Sequence, residues 1–167
     1  MELYILRHAI AVMRGTEGFP QDSDRPLTDK GRSKLRRVVR GMNALNLSFD
    51  QILTSPYLRA RQTAEIVARE MGAAKQLEST PHLAPAGDPR ALLRQLTSRR
   101  APGERILLVG HEPYLSELIS VLVCGDEHTA ITLKKAGLCK LAAPTLRYGR
   151  CASLEWLLTP SQLERIQ

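Results

Sequence analysis

The sequence has 167 residues, of which 43% are hydrophobic, and its formal net charge is +7. This length fits one domain, spanning residues 1–167, with a substantial core. The low aromatic content of 4% argues against the stacking platforms that bind single-stranded nucleic acid, and no apolar run approaches the roughly 18 residues of a membrane span.

The first predicted element is a buried strand over residues 3–6, which runs directly into Arg7 and His8. In an open α/β sheet, ligands bind beyond the carboxyl ends of the strands. Arginine offers a planar fork of donors that matches phosphate oxygens. Histidine offers a nitrogen that can act as a nucleophile, a base or a metal ligand. This strand end is therefore a candidate site.

A helix is predicted after a loop over residues 9–27, with Thr28 as its N-cap. The apolar residues that follow at helical spacing are Leu35, Val38, Val39, Met42 and Leu45. The opposite face is basic and carries Lys30, Arg32, Lys34, Arg36, Arg37 and Arg40. We interpret this face either as a solvated helix surface or as a docking surface for an acidic partner.

A second junction joins a short strand at residues 52–53 to another helix. Ser55 is predicted to cap this helix and Pro56 to be its first residue, and the helix is expected to run to about Met71. Arg59 then lies in the first turn, near the positive end of the helix dipole. That end of a helix favours anions.

A third junction follows later in the chain. Residues 75–79 are predicted to form a short strand, Asp88 to cap a helix with an apolar stripe of leucines, and residues 102–103 to break the chain. The continuous apolar run at 106–109 is typical of a strand buried on both faces of a parallel sheet. This strand ends at His111, directly before a further amphipathic helix.

The C-terminal part predicts a helical turn after Gly125, strands at 138–143 and 152–158, and a short helix from Thr159. One face of the second strand is apolar and consists of Ala152, Leu154, Trp156 and Leu158. This alternation predicts an edge strand with one wet face. The whole pattern indicates the α/β class, as a three-layer α/β/α sandwich with a mostly parallel central sheet.

The three junctions present Arg7 and His8, Arg59, and His111. If the strands are parallel neighbours, these residues converge at one edge of the sheet. They then provide fork-shaped donors, helix N-termini and a nucleophile for a dianionic phosphoryl group, without a metal or another cofactor. The alternative is a metal held by His8 and His111. It lacks an obvious third ligand, and the arginines would repel a cation.

Four segments, in this order along the chain, resemble motifs of the histidine phosphatase superfamily. Residues 6–9 (Leu-Arg-His-Ala) are similar to its Arg-His-Gly signature, and residues 26–31 to its Pro-Leu-Thr-x-x-Gly segment. Residues 55–63 are similar to its Ser-Pro-x-x-Arg-Ala-x-Gln-Thr block, and 109–111 to the segment of its second catalytic histidine. The short length and residues 83–88 resemble the small SixA-type phosphohistidine phosphatases in particular.

The resemblance implies a phosphoglycerate mutase-like fold and a two-step reaction. His8 would attack phosphorus and become a phosphohistidine, Arg7, Arg59 and His111 would hold the phosphoryl oxygens, and water would release phosphate. His8 must be neutral to attack, and neighbouring arginines should disfavour its protonated form.

Two departures from the family pattern bear on the substrate. Ala9 stands where many members have glycine, and segment 81–88 offers only Asp88 where the larger phosphatases carry a glutamate general acid. An alkoxide needs a proton to leave, whereas phosphohistidine leaves as imidazole, whose conjugate acid has a pKa of about 6.5. This pattern therefore favours a P–N substrate, and the lack of long insertions favours an open groove that admits a protein side chain.

The sequence thus predicts a protein-histidine phosphatase that acts on a phosphotransfer domain or carrier protein. The first alternative is a phosphatase of the same superfamily for a small phosphate ester or anhydride. The second is a non-catalytic basic module that binds acidic proteins or nucleic acid. We expect a monomer without a nucleic-acid or membrane partner. The three cysteines are odd in number and widely spaced, and the N-terminus has no signal pattern. These features predict a cytoplasmic protein with reduced thiols.

Overall fold

The computed structural model describes residues 1–98 and 104–166 and is built around a six-stranded sheet. The strands are β1 (Glu2–Arg7), β2 (Gln51–Thr54), β3 (Leu77–Ser79), β4 (Arg105–Gly110), β5 (Leu138–Ala142) and β6 (Ser153–Leu158). Their order in the sheet is β3-β2-β4-β1-β5-β6. The first four strands in this order are parallel, and β5 and β6 are antiparallel additions. The predicted mostly parallel α/β sheet is confirmed.

Helices cover both faces of the sheet. Helices α1 (Asp29–Ala44), α2 (Leu58–Glu70) and α5 (Pro160–Leu163) pack on one face, and α3 (Pro89–Ser98) and α4 (Tyr114–Cys124) pack on the other. Alternate residues of β1 divide between the two clusters: Tyr4 and Leu6 face the first group of helices, and Leu3 and Ile5 face the second. Since both faces of the central strands are buried, their sequences are continuously apolar. No helix within the described ranges is long and apolar enough to cross a membrane.

Several predicted helix starts are confirmed by their hydrogen bonds. The Thr28 side chain accepts from Gly31 N–H at the start of α1, and Thr159 forms a reciprocal capping box with Gln162 at the start of α5. Gly31 also has a packing role, because a Cβ at this position would overlap the carbonyl oxygen of Ile10. Helix α1 therefore lies directly against the chain that leaves β1.

Three predictions about the first half of the chain are wrong in detail. Helix α2 begins at Leu58 rather than at Pro56, and its N-cap is Tyr57 rather than Ser55, whose hydroxyl contacts His111 and accepts from the Tyr57 N–H. Leu45, predicted at helical spacing in this helix, lies just beyond it, because α1 ends at Ala44, and Leu45 is 36% exposed. The strand predicted at 75–79 is shorter, since residues 74–76 form a 3-10 turn.

The predicted alternation in β6 is also wrong. The register changes between Lys140 and Leu141, which pair with Trp156 and Leu154, so Glu155 is left as an extra residue in β6. Because such a bulge reverses the inside–outside alternation, Leu154 is 46% exposed. The stretch after Gly125 forms turns and bends instead of the predicted helical turn, and the break predicted at 102–103 lies outside the described residues.

The register of the parallel strands fixes where the strand ends meet. Arg7 pairs with Gly110 between β1 and β4, and Thr54 pairs with Val109 between β2 and β4. The residues that follow, His8, Ser55 and His111, consequently leave the sheet side by side at its carboxyl edge.

Candidate active site

His8 is held in one tautomer by its surroundings. The ring is 6% exposed, and its Nδ1 lies 2.7 Å from the carbonyl oxygen of Ala9. A carbonyl can only accept, so Nδ1 carries the proton and Nε2 keeps its lone pair. Nε2 in turn accepts from Arg59 Nε at 3.2 Å. The Ala9 N–H donates to Thr63 Oγ1 of α2 at 3.1 Å, so helix α2 fixes the backbone that orients the ring.

Arg59, the second residue of α2, is only 4% exposed and uses all three of its nitrogens. Nε donates to His8, Nη1 to the Asp22 carbonyl at 2.6 Å, and Nη2 to the Asp22 carboxylate at 2.9 Å. That carboxylate also accepts from Arg25 at 2.7 Å and from Arg14 at 3.1 Å. Although partial burial raises the pKa of Asp22, these arginines hold that pKa well below its usual range. Asp22 therefore fixes the guanidinium beside His8.

His111 lies against His8, with ring centroids 5.2 Å apart. Its ring is 2% exposed, and Nε2 is 2.8 Å from Ser55 Oγ. Ser55 Oγ already accepts from Tyr57 N–H at 3.2 Å, and its own hydrogen is free to donate to His111 Nε2. This arrangement fits a His111 tautomer with the proton on Nδ1. That atom is buried and has no hydrogen-bond partner among the described residues.

Arg7 completes the group at the end of β1. Its Nη1 donates to the carbonyl oxygen of Leu133 at 2.9 Å, which anchors the side chain to the segment before β5. Its Nε is buried and lacks a partner within residues 1–98 and 104–166. Buried polar groups are nearly always hydrogen bonded, so Arg7 Nε and His111 Nδ1 are two donors that suit an anionic ligand.

Both histidines are neutral at neutral pH. Burial is the main cause and lowers the pKa of each to about 3, and the positive charge of Arg59 adds to the effect in both cases. For His8, Arg7 and Lys135 lower the pKa further. The neutral form of His8 was expected from the arginines alone, but desolvation contributes more.

These residues line a cavity of about 260 Å³. Its charged lining residues are five cations and two acids, namely Arg7, Arg14, Arg25, Arg59, Lys135, Asp22 and Glu112. The excess of positive charge at a site with neutral histidines fits an anion. Among the residues that the structure describes, there is no group of three or more His, Cys, Asp and Glu side chains that could hold a metal ion.

The structure brings together all four predicted site residues and adds others that sequence reasoning missed. Asp22 and Arg25 lie in a loop without a periodic pattern, so nothing in the sequence marks their position. Glu112 could have been found, because it directly follows His111 at a strand-to-helix junction. Asp88 caps α3, where its Oδ1 accepts from Arg90 N–H at 2.8 Å, and it is not among the lining residues.

Glu112 is partly buried, and its Oε1 accepts from Ser116 N–H at 3.1 Å in the first turn of α4. Burial raises the pKa of its carboxyl above the ordinary value, and the hydrogen bond from Ser116 and the charge of Arg7 oppose this shift. The cavity thus contains one acid whose charged form is disfavoured, Glu112, and one whose charged form is favoured, Asp22.

Comparison with known proteins gives consistent matches. Residues 3–84 match the family model of the histidine phosphatase superfamily (branch 1). The sequence is 42% identical over 149 residues to an uncharacterized protein of Picosynechococcus sp., covering 88% of each chain. It is 28% identical over 167 residues to phosphohistidine phosphatase SixA of Escherichia coli, covering 98% of this chain and 97% of that protein. A solved structure of the protein histidine phosphatase SixA complexed with tungstate has the same fold, with a TM-score of 0.82, 24% identity, and coverage of 98% of this chain and 99% of that chain.

Proposed function

This chain belongs to the histidine phosphatase superfamily, and we propose that it removes phosphate from phosphohistidine in a phosphotransfer domain or carrier protein. The observation that carries this proposal is the His8 imidazole, which lines a positively charged cavity, accepts from Arg59 Nε at Nε2 and has its Nδ1–H fixed on the Ala9 carbonyl. A neutral imidazole with a fixed tautomer is ready to act as a nucleophile without losing a proton first.

In the first step, His8 Nε2 attacks the phosphorus of the substrate, and the P–N bond to the substrate histidine breaks. Arg59 Nε, which bonds Nε2 at 3.2 Å, would turn to a phosphoryl oxygen. Arg7 Nε and His111 Nδ1, both buried without a partner in the described residues, would donate to the other oxygens. Fixed donors of this kind stabilise the charge of the transferring group. In the second step, water attacks the phosphohistidine at His8 and releases inorganic phosphate.

A protein-bound phosphohistidine is favoured as the substrate by two further observations. The sequence is similar over nearly its whole length to a protein named phosphohistidine phosphatase. In segment 81–88 the sole acid is Asp88, which is occupied as a helix cap, so Glu112 is the one acid of the cavity lining left that could protonate a poorer leaving group. A leaving imidazole needs less help from a proton donor than an alkoxide does, because its conjugate acid has a pKa of about 6.5.

A small phosphate ester or anhydride is the second candidate substrate, and Glu112 in the cavity lining favours it. A non-catalytic basic module gains less support. On the basic face of α1, Lys34 and Arg37 pair with Glu164, and Arg36 pairs with Glu70. These charges are partly neutralised within the chain.

The test is dephosphorylation of a histidine-phosphorylated phosphotransfer domain in the presence of EDTA. We expect rapid loss of phosphate with the wild-type protein and none above background with His8→Ala, because that variant lacks the nucleophile. His128→Ala, which removes an exposed histidine, is the matched control and should act like the wild type. An alkaline denaturing quench during turnover should trap phosphate on the wild-type protein only, and subsequent acid treatment should release it. Equal rates for wild type and His8→Ala would refute the proposal.

A further inference from the structure

We propose that Glu112 is the proton donor to the leaving group in this site, and this inference rests on the phosphatase function proposed above. It assigns a catalytic role to a residue outside the four that the sequence motifs single out. It also extends the substrate class from phosphohistidine to phosphate monoesters with poor leaving groups.

The position of Glu112 follows from the fold. The residue comes directly after His111 at the carboxyl end of β4, and its side chain lines the same cavity as His8, Arg7 and Arg59. A phosphoryl group on His8 Nε2 would lie in this cavity, so its leaving oxygen or nitrogen would lie among the residues that line it. Glu112 is the one lining acid that is not already bound by arginines, since three arginines bond Asp22.

The carboxyl group is anchored at one oxygen and available at the other. Oε1 accepts from the Ser116 N–H of α4 at 3.1 Å. Within the described residues no backbone N–H and no arginine nitrogen donates to Oε2, and the Ser116 hydroxyl also interacts with the carboxyl group. A carboxyl held in this way can carry its proton on Oε2 while the helix fixes its orientation, so that it can serve as a positioned proton donor in the cavity.

The surroundings of Glu112 also favour its protonated form. Burial is the largest influence and raises the pKa of the carboxyl, and the negative charge of Glu117 acts in the same direction. The hydrogen bond from Ser116 and the positive charge of Arg7 act against it. The net shift is upward, toward the pH at which the enzyme would work, and a general acid is most effective when its pKa lies near that pH.

The reaction balances with Glu112 as the only proton carrier. As His8 Nε2 bonds to phosphorus and the bond to the leaving atom breaks, the proton on Glu112 moves to the leaving oxygen or nitrogen. Glu112 is then a carboxylate. When water attacks the phosphohistidine, its proton passes to Glu112, the P–Nε2 bond breaks, and phosphate leaves with both residues in their starting states.

The test compares two aryl phosphates in the presence of EDTA. Nitrophenyl phosphate releases a stabilised phenolate that needs no proton, whereas phenol has a pKa of about 10, like the tyrosine side chain. The variant is Glu112→Gln, whose amide oxygen can still accept from Ser116 N–H. The control is Glu155→Gln, an exposed residue of β6 away from the cavity. The quantity measured is kcat/KM, which covers only the steps up to loss of the leaving group.

We expect Glu112→Gln to lower kcat/KM by about 100-fold or more for phenyl phosphate and by less than about threefold for nitrophenyl phosphate. Glu155→Gln should change neither value. Equal losses on both substrates, or no loss on either, would overturn the role of Glu112 and leave the proposed function standing. Activity confined to the phosphohistidine domain would overturn it as well, because a working proton donor permits phenyl phosphate. A wild-type protein inactive on all three substrates would instead refute the proposed function itself.

Discussion

The carboxyl edge of β1, β2 and β4 and the β5–β6 ribbon follow opposite rules of burial. At the parallel edge, the polar side chains of His8, Ser55, Arg59 and His111 are all at most 6% exposed. At the ribbon, the apolar Leu154 is 46% exposed. Burial of polar groups costs free energy unless they are paired. The cost at the parallel edge falls on the two buried donors without a partner in the described residues, Arg7 Nε and His111 Nδ1. At the ribbon, the exposed Leu154 has little burial to lose from substitution.

The sharpest test of this contrast is Arg59→Ala. The change removes the donor to His8 and the partner of Asp22, and we expect kcat to fall by about 10³-fold, because a fixed donor to a developing oxyanion contributes about that much. Steady-state kinetics on a histidine-phosphorylated domain measure the effect. Arg61→Ala is the control, since Arg61 lies on the same helix but is exposed and pairs with Glu65. A comparable loss in both variants would show that kcat depends on the net charge of α2 and not on the buried guanidinium of Arg59.

The buried histidines should make the protein less stable in mild acid. Their pKa is about 3 in the folded state and about 6.5 when unfolded, so between these values the unfolded chain binds more protons. The free energy of unfolding therefore falls as the pH falls below about 6.5, by about 2 kcal/mol per histidine at pH 5.

Urea unfolding at pH 7.5 and pH 5 measures this dependence. In His8→Asn the fall between the two pH values should be smaller by about 2 kcal/mol, because one of the two groups no longer titrates. His128→Asn, at an exposed position, should keep the full wild-type dependence. If His8→Asn and the wild type lose the same stability in acid, His8 is not buried as a neutral ring.

Ser55→Ala should have a smaller effect that is confined to the site. Ser55 Oγ contacts His111 Nε2 and accepts from Tyr57 N–H, so its loss frees the His111 ring to reorient. We expect kcat to fall about 10-fold, since partners that orient a functional histidine contribute in that range. Ser33→Ala, in helix α1 away from the cavity, is the control for kinetics. An unchanged kcat in Ser55→Ala would mean that packing alone holds the His111 ring.

The parallel half of the sheet was predictable because several separate features of the sequence indicate the same strands and helices. Residues 106–109 form a continuous apolar run, and a strand of that kind is buried on both faces. The capping residue Thr28 and the leucines of α3 agree with the same layer arrangement. Where propensity, pattern and capping indicate one structure, sequence reasoning is reliable. The four motif residues lie close together for this reason, because each lies at or soon after the carboxyl end of a predicted parallel strand.

The rest of the site depends on contacts that no local pattern encodes. Asp22 reaches Arg59 across 37 residues of sequence, and the loop that carries it has no period. The Ser-Pro pair predicts a helix that starts at Ser55, but the helix begins at Leu58, and the Ser55 hydroxyl accepts from the Tyr57 N–H and contacts the His111 ring. The family resemblance points to segment 81–88 for an acid, so it does not single out Glu112 at the end of β4.

The smallest effect should be at the ribbon, where Leu154→Ala tests the other side of the contrast. Leu154 pairs across the strands with Leu141, which is fully buried, and the bulge at Glu155 turns Leu154 toward solvent. We expect Leu154→Ala to change the free energy of unfolding by less than about 0.5 kcal/mol, and Leu141→Ala to lower it by about 2–5 kcal/mol. Urea unfolding of the two variants measures both values, and kcat should be unchanged in Leu154→Ala. A large loss from Leu154→Ala would mean that β6 pairs without the bulge, with Leu154 facing the core as the alternation alone predicts.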